Sequence, residues 1–183
     1  MNTELEFEYI ETDRYKLRIV TAEKYKAYLD SADVQRIADF TGKSLEEAQL
    51  EKNKAQYGFR THNKTFIMFM IIDKQSQKVI GDCGFHTWYL DHNRAEIGYA
   101  LFNDQSKGKG VMTEVLKRVI EYGFDTLGLL RIEAFISPEN IASLKTVAKY
   151  GFTKEGQMRH HYLKNGIYDD SVIYSLLKQE YRK

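Results

Sequence analysis

Residues 95–137 read AEIGYALFNDQSKGKGVMTEVLKRVIEYGFDTLGLLRIEAFIS. The stretch divides by period. Over residues 95–102 it alternates, with Ala95, Ile97, Tyr99 and Leu101 on one face, as a half-buried strand requires. From Gly110 the period lengthens: Val111, Val115, Val119 and Phe124 recur at helical spacing, and Leu116 and Ile120 widen the stripe. Thr126, Leu127 and Gly128 punctuate the end of that helix, and residues 129–137 are strand-like again. Strand, helix and strand make one βαβ crossover, so the two strands are expected to be parallel.

Working outward, residues 15–20 predict a first strand and residues 22–57 read as helical. Within the latter, Ser44 stands three residues before Glu47, a capping box opening a helix near Leu45. Residues 64–73, 78–90 and 95–102, separated by polar turns at 74–77 and 91–94, predict an antiparallel meander. Downstream, Ile141, Leu144, Val147 and Ala148 mark a second helix, with Gly151 in the place of a C-cap glycine. Residues 156–163 and 168–177 close the chain as a hairpin around 164–166. The expectation is one α/β domain over residues 1–183, with a mixed, mostly antiparallel sheet flanked by helices and a central parallel crossover.

The 183 residues suffice for a sizeable core. A net charge of +1 supplies no field for nucleic acid or a membrane surface, so any bound anion must be gripped locally. The lone cysteine, Cys83, cannot form an intramolecular disulfide and suits a reducing cytoplasm. It reads as a buried structural thiol rather than a nucleophile, although His86 follows three residues on. The N-terminus is acidic and lacks the apolar region of a signal peptide, and the longest apolar run, residues 66–72, is too short to span a membrane.

The loop in the middle of the crossover alternates Lys107, Gly108, Lys109 and Gly110 directly before the helix. A helix start offers unpaired amides and positive dipole, and glycines let an anion approach them. The bland alternative is a solvated turn. Two familiar phosphate loops fail: Val111 follows Gly110 where a P-loop needs Lys, and Thr113 stands where the dinucleotide fingerprint needs a third glycine.

Over about residues 94–156, the segments AEIGY, GKG-x-MTE, PEN-x-x-S and YGF-x-x-EG resemble the Gcn5-related N-acetyltransferases (GNAT), and most closely their RimJ/RimL-like branch, which acetylates ribosomal proteins at alanine. The resemblance implies the GNAT fold and an acetyl-CoA-dependent N-acetyltransferase. Its acceptor is a primary amine, with a ribosomal-protein N-terminus as the leading case. It also implies a cytoplasmic enzyme with no metal, and it admits a homodimer. Alternatives are a small amine such as a polyamine, for which an acidic acceptor cleft would speak, and a non-catalytic acyl-CoA-binding module. The only acidic cluster visible in the sequence is Asp169 and Asp170.

The resemblance places the pyrophosphate on residues 107–112. Its loop motif is met literally by Gln105, Gly108 and Gly110, and in a preferred register begins at Lys107 and ends at Met112, with Lys109 and Val111 inside. Leu101 and Phe102 are expected to offer backbone groups to the pantetheine, and Asn140 to contact the cofactor. Glu96, flanked by the small Gly98 and Ala100 that leave room beside it, is the candidate base; burial would raise its pKa. Otherwise it is a strand glutamate paired with Arg94 or Arg131. Many relatives place an acidic tyrosine where this chain has Val147, and Tyr150 faces elsewhere on the helix. Ser143 then stands in for it, or merely caps the helix with Asn140. His160 and His161 are neighbours on a strand and do not suit a metal. His86 and His92 read as turn or surface residues, and Trp88 as a pocket wall or a core aromatic.

Overall fold

The computed structural model describes residues 5–59 and 61–181, so the first four residues of the acidic N-terminal stretch lie outside it. Among the described residues, eight strands form one sheet in spatial order β1-β2-β3-β4-β5-β6-β8-β7. They are β1 (Glu8–Glu11), β2 (Tyr15–Thr21), β3 (Lys64–Asp73), β4 (Val79–Tyr89), β5 (Arg94–Leu101), β6 (Arg131–Ile136), β7 (Thr153–Lys164) and β8 (Ile167–Leu177). Only β5 and β6 pair in parallel; all other neighbours are antiparallel. The parallel pair is joined by α4 (Val111–Asp125), as the period change predicts. The short edge strand β1 is a feature the sequence pattern did not signal.

Two cores lie on opposite faces. On one, α4 and α5 (Ile141–Lys149) cover Phe69, Cys83, Phe85, Ala95 and Ile97. Val111, Val115, Leu116, Val119, Ile120 and Phe124 are all buried there. Each contributes roughly 1.5–3 kcal/mol relative to exposure, enough to pin α4 on the sheet. Cys83 is fully buried in this core, and burial pushes its thiol well up, so it is a structural residue. Trp88 packs against the same core, half-buried.

On the other face sit α1 (Ala22–Ser31), α2 (Val34–Thr41) and α3 (Leu45–Ala55), over Val20 and Met70. Three capped helices divide the single helical stretch read from the sequence. Ser44 and Glu47 make the expected reciprocal capping box at the start of α3. Strand alternation puts Asp82, Gly98, Ala100 and Glu96 on this second face.

Candidate active site

The ladder between β5 and β6 runs only through Arg94↔Arg131, Ala95↔Ile132 and Glu96↔Glu133. Beyond Glu96 the two strands part. The Phe102 N–H donates to the Ile80 carbonyl at 3.0 Å, so its amide faces β4. The antiparallel alternation then turns the backbone groups of Leu101 and Tyr99 toward the gap. Phe102 therefore does not offer the free amide expected of it, whereas Leu101 does.

At the mouth of the gap, a 3₁₀ turn (Asp104–Ser106) is capped by Asn103, whose Oδ1 accepts the Ser106 N–H at 2.9 Å. Gly108 and Gly110 follow with φ of 72° and 74°, a conformation that a Cβ disfavours. Gly110 is the N-cap of α4 and has no side chain to satisfy the first-turn amides of Val111, Met112 and Thr113. The first intrahelical bond runs from the Glu114 N–H to the Gly110 carbonyl.

This turn is braced from the N-terminal segment. Thr12 donates to Glu114 Oε1 at 2.5 Å, and Arg14 donates to the same carboxylate from its backbone (2.8 Å) and from Nε (2.7 Å). Arg14 Nη1 also reaches the Lys109 carbonyl at 3.1 Å. Burial works against ionisation of Glu114, but the hydrogen bonds from Thr12 and Arg14 prevail and hold its carboxyl below the usual value. The exposed Lys107 ammonium stands 2.6 Å from Asp104, and the first-turn amides and dipole of α4 add their own attraction for an anion.

Between the gap and this loop lies a cleft of about 610 Å³. Leu101, Lys107, Gly108, Gly110, Val111 and Met112, nominated from the sequence, line it, as do Asn140 and Ser143 on the far wall. Gln105 is exposed on the 3₁₀ turn, and it and Lys109 lie outside the lining, as does Phe102. Tyr99, Ala100, Ser106, Thr113 and Thr146 line the cleft without having been nominated. Ala100 belongs to the opposite face from Tyr99, so the cleft opens into the gap between the strands. Uncapped amides at one end and free strand edges along the other fit the pyrophosphate and amide-bearing arm of coenzyme A.

On the far wall, Asn140 caps α5: its Oδ1 accepts the Ser143 N–H at 3.1 Å. The Ser143 carbonyl accepts the Tyr99 hydroxyl at 3.5 Å. Val147 is buried in the core. The Tyr150 hydroxyl donates to the Thr113 carbonyl and ties α5 to α4; burial pushes its pKa up to about 12.

Glu96 stands where the two strands begin to separate. Its Oε2 accepts from Thr87 Oγ1 at 3.3 Å and its Oε1 from the Tyr162 hydroxyl at 3.5 Å. The arginines considered as its partners serve elsewhere. Arg94 (2.6 Å) and Arg131 (2.8 Å) bind the buried Glu133, and Arg131 forks onto Glu155. The space expected beside Glu96 is partly taken. His86, a surface residue in a bulge of β4, points one edge of its ring at Gly98. On the same face, burial raises the pKa of Asp82 while Lys43 and His86 oppose the rise; Glu51 adds to it and binds the Tyr25 hydroxyl at 3.1 Å. Glu51 is itself met by the ammonium groups of Lys43 and Lys54, each at 3.5 Å.

His161, with Nδ1 3.0 Å from Ser171 Oγ, lies edge-on to Phe135, and His160 stacks on Tyr168. Asp170 accepts the His160 N–H and the Gln157 amide, so it braces the β7 bulge. No group of three or more potential metal ligands occurs among the described residues. No helix among them is long and apolar enough to cross a membrane.

A family model described as an acetyltransferase (GNAT) domain matches residues 14–153. An N-acetyltransferase of Bacillus subtilis, YoaA, is 33% identical over 178 residues, covering 94% of this chain and 98% of that protein. The N-acetyltransferase p20 of Bacillus licheniformis is 43% identical over 113 residues, and the match spans 62% of this chain and 63% of p20. Among solved structures, a ribosomal-protein-S5-alanine acetyltransferase from Vibrio fischeri superposes with a TM-score of 0.68 at 21% identity, over 96% of this chain and all of that one. Its likeness is one of fold.

Proposed function

Because this chain belongs to the GNAT acetyltransferase family, whose members use acetyl-CoA, we propose that the amine it acetylates is a protein N-terminal amine, of the kind found on ribosomal proteins. The observation that carries this reading is the bond from Tyr162 to Glu96. It joins the β7–β8 hairpin to the point where the strands part. That hairpin exposes Leu163, Ile167 and Tyr168 at 60% or more, an apolar rim suited to the first side chains of a peptide.

In this mechanism the α4 amides and the strand edge at Leu101 hold the donor. The amine enters from the Glu96 side. Glu96, aimed by Thr87 and Tyr162, takes up the amine's proton directly or through one water. The strand-edge N–H of Leu101 or Tyr99 stabilises the oxyanion as the tetrahedral intermediate forms. Asn140 and Ser143 position the thioester end.

A second reading is a small polyamine acceptor, whose charge would meet Asp82 and Glu51 on the same face, where Lys43 and Lys54 offset Glu51 at 3.5 Å. Release of CoA thiol across peptides with free N-termini, the same peptides blocked at the N-terminus, and spermidine decides between them. The N-terminal reading expects free peptides to exceed spermidine in kcat/KM by about tenfold or more, with blocked peptides inert. Preference for spermidine overturns it.

A further inference from the structure

The family's usual acidic tyrosine is replaced here by Val147, buried in the core, and Tyr150 is committed to the Thr113 carbonyl. The cleft nevertheless contains a phenol. Tyr99 enters it from β5, across from the helix that normally supplies the acid. Its ring packs against the main core while its hydroxyl reaches the Ser143 carbonyl in the first turn of α5, at 3.5 Å. That bond is long, so the hydroxyl gives up little by turning to another acceptor.

We infer that Tyr99 supplies the proton to the departing coenzyme A sulfur. The position explains why no tyrosine is needed at residue 147. Tyr99 lies on the strand edge that faces the gap, and Ser143 and Asn140 bound the same end of the cleft. The amine nitrogen forms its bond to the thioester carbon, the carbon–sulfur bond breaks with its electron pair on sulfur, and the Tyr99 O–H proton passes to that sulfur. The phenolate then recovers a proton from solvent, and the proton lost by the amine leaves through Glu96. The phenol carries its proton at neutral pH, as any tyrosine does, and burial raises its pKa further. The Ser143 side chain is thereby left as a positioning group at the start of α5.

This inference rests on the transferase reading, and its test separates the two. Tyr99→Phe removes only the hydroxyl. Calorimetry compares CoA with desulfo-CoA, which lacks the sulfur. The wild type should prefer CoA by about 3–10-fold, and Tyr99→Phe should bind the two alike. In turnover, the variant's kcat should fall about tenfold or more with little change in KM for acetyl-CoA. Retained preference for CoA, or an unchanged kcat, overturns the role. Should the variant melt early, the wild type alone still decides: equal affinity for CoA and desulfo-CoA places Tyr99 away from the sulfur. A wild type that discriminates between the two yet acetylates no amine overturns the transferase reading and leaves the contact standing.

Discussion

The imidazole of His86 points its Cδ2–Nε2 edge at Gly98: a Cβ at residue 98 would come within 2.1 Å of Cδ2 and 2.2 Å of Nε2. What meets a methyl group there is the tip of a side chain from the neighbouring strand, not a constraint of the glycine's own backbone angle. The β4 bulge between Phe85 and Thr87 aims the ring, and the same bulge brings Thr87 opposite Glu96.

Gly98→Ala should therefore swing the exposed ring aside, at a cost of no more than about 1 kcal/mol. In a His86→Ala background the same change should cost almost nothing. Urea unfolding of both singles and the double measures that coupling. Additive losses would show that His86 is not what excludes the methyl group.

Glu96→Gln keeps the shape and the contacts of the side chain while removing the base. It should lower kcat/KM by about 100-fold and leave acetyl-CoA affinity near that of the wild type. Tyr162→Phe, which removes one of the two donors aiming Glu96, should give a smaller loss of the same kind. An unchanged rate in Glu96→Gln would make the residue a structural strand glutamate.

Gly110→Ala forces a Cβ into the left-handed region, roughly 1–2 kcal/mol of strain. The loop is exposed and relieves that strain by shifting the first turn of α4. Affinity for CoA should fall about tenfold, while the thermal midpoint changes little because Val115, Leu116 and Val119 still anchor the helix. Calorimetry and thermal melts separate the two effects.

Acid should weaken the sheet at the β6–β7–β8 junction. The Arg131 guanidinium, followed by the Ser175 hydroxyl, lowers the Glu155 carboxyl from 4.5 to about 2. A folded pKa below the unfolded one contributes stability that is present above pH 4.5 and lost as pH falls toward 2. Urea midpoints measured from pH 6 down to 2.5 should drop across that window, and Glu155→Gln should flatten the drop. The pair is partly exposed, so roughly 0.5 M salt should shrink the effect.

Much of the fold was legible because periodicity is local. The switch from alternation at Ala95–Leu101 to helical spacing at Val111–Phe124 announced the crossover, and Ser44 with Glu47 announced α3. β1 was missed because a four-residue, mostly exposed edge strand carries no apolar alternation. The division of the helical stretch into three came from caps at Thr21, Asp33 and Ser44, each a side-chain oxygen on a backbone amide.

The candidate site divides along the same line. By itself the sequence located the glycine loop before α4, since Gly108 and Gly110 lie close together in the chain and their chemistry is that of the backbone. It also set the apolar face of β5, and with it the side of the sheet that Glu96 occupies. Only the tertiary structure decided which side chains surround that loop and that carboxylate. It committed Arg94 and Arg131 to Glu133, pointed His86 at Gly98, brought Tyr162 to Glu96 and turned Tyr99 toward Ser143. Those pairings join residues up to 66 positions apart. Sheet order, bulges and strand divergence set them, and no local period in the chain encodes which distant strand lies next to which.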